Sequence, residues 1–210
     1  MDRAITVGAS LLLCLLVAGC SAGDEADGVE THADDLDHAL SLYPGSGLIG
    51  IAMPEDLADG HNWSGMFGSF MPCVARGDGP IEIADVSWSS SAGLEPVSVD
   101  VGVRTFTVGE VNAIGSAYGA LEDPSLRGYE PIDDKFTGMT VTRKCRVEGD
   151  PPISGSIGEI VFGVTGTSDG AHLRDIRFTY LTPDGREHVV TNGWDFYLCG
   201  PAVPEDIGCK

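Results

Sequence analysis

Val97-Ser98-Val99-Asp100-Val101-Gly102-Val103-Arg104 decides the fold, because every second residue is valine and those between are polar or glycine. Successive side chains of a strand point to opposite faces, so this spacing puts the valines on one buried face. The same period recurs along the chain. Met139, Val141, Cys145 and Val147 alternate with Thr140, Thr142, Lys144 and Arg146, and Arg143 interrupts the apolar face. Ile160, Phe162 and Val164 repeat it, as do Ile176, Phe178 and Tyr180. Thr182-Pro183-Asp184-Gly185 then reads as a turn: proline presets its own φ and glycine accepts the left-handed position after it. The turn is expected to join strands ending near Leu181 and starting near Arg186 as a hairpin. Trp194 to Cys199 is a last strand, with Trp194, Phe196 and Leu198 on one face. Adding Leu48–Met53 and Ile81–Trp88 gives about eight short strands with little helical pattern. That pattern predicts an all-β domain over residues 43–210, a single β-sandwich of immunoglobulin-like shape, with a barrel as the alternative.

Charge narrows the function. The 210 residues carry 12 Lys and Arg against 32 Asp and Glu, a formal net charge of −20. A nucleic-acid binder needs clustered cations to displace counterions from phosphates, so that class is excluded. At 42% hydrophobic residues the chain has enough apolar surface for a core.

The first residues have another purpose. Arg3 precedes an apolar run from Ala4 to Val17, and the small residues Ala18 and Gly19 close it. This is the layout of an export signal over residues 1–19, and the run is shorter than the ~20 residues a spanning helix needs. Val17-Ala18-Gly19-Cys20 resembles the lipobox of bacterial lipoproteins. The resemblance implies cleavage before Cys20 and a diacylglyceryl group on its thiol, and two acyl chains suffice for stable anchoring. The Ala/Gly/Asp-heavy, Lys-poor composition is also similar to small lipoproteins of high-GC Gram-positive bacteria. The resemblance implies a lipid-anchored protein on the extracytoplasmic face of the cell membrane, with the bilayer as a partner through Cys20.

Residues 20–42 read as a tether. Asp24, Glu25, Asp27, Glu30, Asp34, Asp35 and Asp37 occur there with no Lys or Arg before Leu40, so the beginning of the stretch is expected to stay unfolded and the tether to hold the domain off an anionic membrane. Its end carries a weak helical pattern, with Thr31 as a cap and Leu36, Ala39, Leu40 and Tyr43 on one face. His32 and His38 flank Asp34, Asp35 and Asp37, but this spacing lacks the order of a structural metal site, and no metal is expected.

Two segments fall outside the strand pattern. Gly60–Pro72 is rich in Gly, Met and aromatics, and Gly109–Lys135 is a long connection in which Val111, Ile114, Tyr118 and Leu121 have helical spacing. The second is expected to pack on the sandwich or to serve as a binding loop. With Cys14 in the signal and Cys20 lipidated, Cys73, Cys145, Cys199 and Cys209 remain. An even number in an exported domain predicts two disulfides, and the pairs expected are Cys73–Cys145 and Cys199–Cys209.

No catalytic motif emerges, and no cofactor is expected. Gly45-Ser46-Gly47-Leu48-Ile49-Gly50 has the letters of a dinucleotide loop but precedes a strand rather than a helix. Gly155-Ser156-Ile157-Gly158 lacks the frame of a nucleophile elbow. His61, His172 and His188 are dispersed, and residue types alone define no Ser-His-Asp site. Arg143-Lys144-Arg146 reads as a basic spot balancing nearby acids, while Asp133-Asp134 and Asp169-Gly170 lack a calcium-loop pattern. Asn62-Trp63-Ser64 is a glycosylation sequon in letters only. The expected function is a binding or structural module of the cell envelope that meets a protein or a cell-wall component. An envelope hydrolase with a site near residues 109–135 is the alternative.

Overall fold

In the computed structural model, the described residues are 38–43, 45–57, 60–77, 79–107, 113–121, 136, 138–146, 155–207 and 209. The stretches read as an export signal and as an acidic tether, with Cys20 and His32, lie outside them up to Asp37.

The alternating stretches become strands, in chain order β1 (Leu40–Tyr43), β2 (Ser46–Ala52), β3 (Trp63–Val74), β4 (Ile81–Ser89) and β5 (Ser98–Thr107). They are followed by β6 (Ser116–Tyr118), β7 (Met139–Val141), β8 (Ser156–Gly166), β9 (Gly170–Leu181) and β10 (Glu187–Cys199). One sheet has the order β1-β3-β8-β5, with β6 also on β3; the other has the order β2-β10-β9-β4-β7. All pairings are antiparallel except β2 on β10. The expected hairpin is present: Thr182–Arg186 turns β9 into β10, closed by Gly185 N–H on Thr182 O at 2.8 Å.

The sheets bury their facing sides in one core. Phe67, Phe70 and Phe162 from the first meet Phe178, Phe196 and Leu198 from the second, all at most 2% exposed. Phe67 stacks on Phe196 with centroids 4.6 Å apart, while Phe70 stands edge-on to both Phe162 and Phe196. Such pairs add about 0.5–1.5 kcal/mol each beyond their buried area. Gly65 marks the closest approach, since a Cβ there would lie 2.6 Å from Ile51 Cδ1 and 2.7 Å from Leu198 Cδ2.

The first sheet is covered on its outer side as well. Met66, Ile114 and Val161 form a second cluster, with Leu121 packed against it. Residues 113–121 therefore lie across β3 and β8.

Several expectations change. Leu40, Ser41 and Leu42 are buried in β1, so the fold begins by Leu40, not Tyr43, and the helical pattern there gives way to a strand paired with β3. Gly60–Pro72 contains most of β3, whose two covered faces erase the alternation that a half-exposed strand would show. Of the stretch Met139–Val147, Met139–Val141 is strand and Lys144 makes a single bridge to Val74, while Val147 lies outside the described residues. The strand expected to start near Arg186 and the one expected over Trp194–Cys199 are parts of one bulged strand, β10. Within residues 109–135, Ser116–Tyr118 pairs with β3 instead of turning helically, and 109–112 and 122–135 lie outside the described residues.

Candidate functional site

The cysteines pair as expected. Cys73 and Cys145 are joined, as are Cys199 and Cys209. The first bond fastens β3 to the segment after β7, beside the backbone bonds Val74 N–H to Arg143 O and Cys145 N–H to Val74 O. The second closes the C-terminal turn over Leu94, Tyr197 and Val203 on the outer side of the second sheet.

The other residues singled out in the sequence scatter. Arg143 is not part of a surface spot: its Nη2 donates to Met71 O and Pro72 O, each at 3.3 Å, and burial lowers its pKa. Lys144 Nζ donates to Gly77 O. Of Gly45–Gly50, all but the first residue lies within β2, and Trp63 of the sequon letters is a buried core residue. Asp133 and Asp134 lie outside the described residues, among which no group of three or more His, Cys, Asp or Glu side chains is placed to hold a metal ion. No helix among them is long and apolar enough to cross a membrane.

Sequence reasoning missed two polar constellations. In the first, Glu159 and Arg104 face each other under residues 113–121, both at 1% exposure or less. Glu159 Oε2 accepts from Arg104 Nε at 2.5 Å, and Oε1 accepts the N–H groups of Ser69 at 2.5 Å and Ile114 at 2.8 Å. One carboxylate thus holds the β3 bulge, a β5 guanidinium and the covering segment together.

The second joins Ser91, His172 and Asp195. Ser91 Oγ is 2.8 Å from His172 Nδ1, and His172 Nε2 is 2.8 Å from Asp195 Oδ1. An ionised carboxylate only accepts, so Nε2 carries the proton and, on a neutral ring, Nδ1 accepts from the serine. The ring is 2% exposed and stacks on Tyr197 at 4.0 Å, and the His172 backbone N–H donates to Leu94 O. The set therefore clamps the 91–95 turn to β9 and β10.

A cavity of about 450 Å³ opens where the chain enters the fold, between the start of β1, the end of β3 and the β9–β10 turn. His38, Arg76, Arg186 and His188 line it, with Asp184 as its carboxylate. In a chain with 12 Lys and Arg and five His, two arginines and two imidazoles gather here around one carboxylate, which Arg186 pairs. Tyr180 forms an apolar wall: its ring stacks on His188 at 5.4 Å, and its hydroxyl accepts the Ala39 N–H at 3.2 Å. Asp184 Oδ2 accepts from Arg186 Nε at 2.6 Å, and Oδ1 accepts from Thr182 Oγ1 at 2.6 Å. The hydrogen bond from Arg186, then that from Thr182, hold the Asp184 carboxyl well below the usual carboxylate range.

Comparison with protein-family models, curated proteins and solved structures returns no match. The site must speak for itself. Its chemistry is an arginine-bearing recess with an aromatic wall, suited to an anionic group carried on a partly apolar body.

Proposed function

We propose that this chain is a membrane-anchored extracytoplasmic lipoprotein whose β domain acts as a binding module of the cell envelope. The observation that carries the binding reading is the cavity at the domain's entry, where Arg76, Arg186, His38 and His188 gather in a protein of net charge −20. The ligand class is an anionic component of the envelope, such as an acidic wall polymer. Two disulfides and the resemblance of Val17–Cys20 to a lipobox support export and anchoring at Cys20.

Two measurements test the reading. Labelled fatty acid is expected to enter the protein and to be lost in Cys20→Ala, with that variant released from the membrane; equal membrane retention overturns the anchor. Isolated walls are expected to bind the protein, and Arg76→Ala with Arg186→Ala is expected to weaken binding by about tenfold or more, the scale of lost charge-assisted hydrogen bonds. Unchanged binding in the double variant removes the cavity from the reading.

The Ser91–His172–Asp195 set favours a second reading, an envelope hydrolase. It moves that site from residues 109–135 to the 91–95 turn. A fluorophosphonate that labels wild-type protein but not Ser91→Ala supports it; no labelling of Ser91 leaves the set as a structural clamp.

A further inference from the structure

The charge of the cavity at the domain's entry depends on two imidazoles. Among the groups that line it, Arg186 and Asp184 form an ion pair, Nη2 to Oδ2 2.5 Å, and cancel at close range. The hydrogen bond from Arg186 holds the Asp184 carboxyl well below the usual range, so it stays ionised in mild acid. Arginine is charged at every working pH, and Arg76, just after β3, supplies the lining's remaining fixed charge. Lys144 reaches the rim, where its Nζ donates to Gly77 O. His38, before β1, and His188, near the start of β10, complete the ionisable lining with Tyr180. Histidine is the side chain whose ordinary charge change falls between about pH 5 and pH 8. Two of the chain's five histidines are gathered in this one recess.

Both belong to the same aromatic wall. The His188 ring stacks on the Tyr180 ring, with centroids 5.4 Å and planes 21° apart. His38 adjoins Ala39, whose N–H donates to the Tyr180 hydroxyl at 3.2 Å. Tyr180 is 1% exposed, so the wall is anchored in the core. Glu187, next to His188, is opposite Leu181 and alternates to the other face of β10. Asp37, next to His38, lies outside the described residues. A neutral imidazole offers an anion one N–H and one repelling lone pair, whereas a protonated ring offers two N–H groups and a charge. Arg76, Arg186 and Asp184 together leave the lining one positive charge, to which the two imidazoles can add two. Protons therefore change its potential more than any fixed group does.

We propose that the cavity is a proton-gated anion site, in which protonated His38 and His188 complete the binding surface, so that an anionic ligand enters with uptake of protons and leaves as the pH rises. This regulation rests on the reading of the cavity as an anion site. By linkage, the bound anion favours the protonated rings as much as the protons favour the anion.

The test titrates the full chain with naphthalenesulfonate, a monoanion throughout the range, and with methyl naphthyl sulfone, which keeps the ring and lacks the charge. Calorimetry from about pH 8 to about pH 5, in two buffers of different ionisation enthalpy, yields the affinity and the protons taken up. The sulfonate is expected to bind about fivefold or more tightly at the acid end, the scale of a hydrogen bond gaining charge, with net proton uptake. The sulfone is expected to show neither change. His38→Gln combined with His188→Gln is expected to abolish both the proton uptake and the pH dependence. Arg76→Ala is expected to weaken sulfonate binding at every pH and to keep its slope. Sulfonate affinity independent of pH, or a slope that survives in the double histidine variant, overturns the gating and leaves the anion site standing. An equal slope with the uncharged sulfone also overturns it, since the pH would then act on the fold. No sulfonate binding at any pH removes the anion site and the gating with it.

Discussion

A buried carboxylate such as Glu159 illustrates how a single residue escapes sequence reading. In an alternating strand a glutamate beside Ile160 reads as solvent-facing, and so does Arg104 after Val103. That inference fails because residues 113–121 cover the outer face, and nothing in the local pattern of β8 announces the cover. Removing one partner of a buried pair strands the other charge, which costs about 3–5 kcal/mol, whereas an apolar replacement of both is often neutral. Glu159→Ala is therefore expected to lower the urea midpoint by that free energy. Arg104→Met combined with Glu159→Leu is expected to recover much of it, at an unchanged m-value. Asp184 offers the opposite case, an exposed carboxylate tied to Arg186 and Thr182. Its folded pKa is lowered, so its stabilising effect is complete above the unfolded value of ~3.9 and disappears as pH falls through the folded value. A carbon-13 titration of Asp184 is expected to show a midpoint below the ordinary range, and Arg186→Ala is expected to move it back up.

At the level of elements, the strands that were legible are those whose apolar residues alternate with polar ones or glycine. β5, β9 and β10 keep enough alternation to be seen, while β3 is buried on both sides and reads as an apolar run punctuated by Gly65 and Gly68. β1 was hidden by its brevity and by the acidic stretch before it. The glycines of β3 have a steric purpose that permits a direct test. A side chain at Gly65 must displace Ile51 and Leu198, so Gly65→Val is expected to destabilise by about 1–3 kcal/mol, read from the thermal midpoint. The cysteine pairing was legible because four cysteines remain beyond residue 20, an even number, and the C-terminal loop is short. In the chain-entropy model the bond spanning 72 residues contributes ~4 kcal/mol and the one spanning 10 contributes ~3. Cys73→Ser with Cys145→Ser is accordingly expected to cost more than Cys199→Ser with Cys209→Ser, as calorimetric unfolding will show.

For the whole molecule, the decisive quantity is how charge is distributed over the chain. No sequence pattern joins His38, Arg76, Arg186 and His188; topology joins them, because β1 lies on the end of β3 and the β9–β10 turn folds back beside both. The same topology fixes where the acidic stretch is attached. Asp24, Glu25, Asp27, Glu30, Asp34, Asp35 and Asp37 precede His38, which itself lines the arginine-bearing cavity. Seven carboxylates joined through the chain to that rim are expected to lower the local potential and oppose an anionic ligand at any salt concentration too low to screen them. Replacing all seven with Asn or Gln is therefore expected to tighten binding of an anionic wall polymer several-fold at 0.01 M salt, where the Debye length is ~30 Å. At ~1 M salt, with a Debye length near 3 Å, the neutralised and native chains are expected to bind alike. An affinity difference that persists at high salt would mean that the acids act through contact with the domain and not through their field. Equal affinity at low salt would instead show that the stretch stays too far from its own attachment point to be felt.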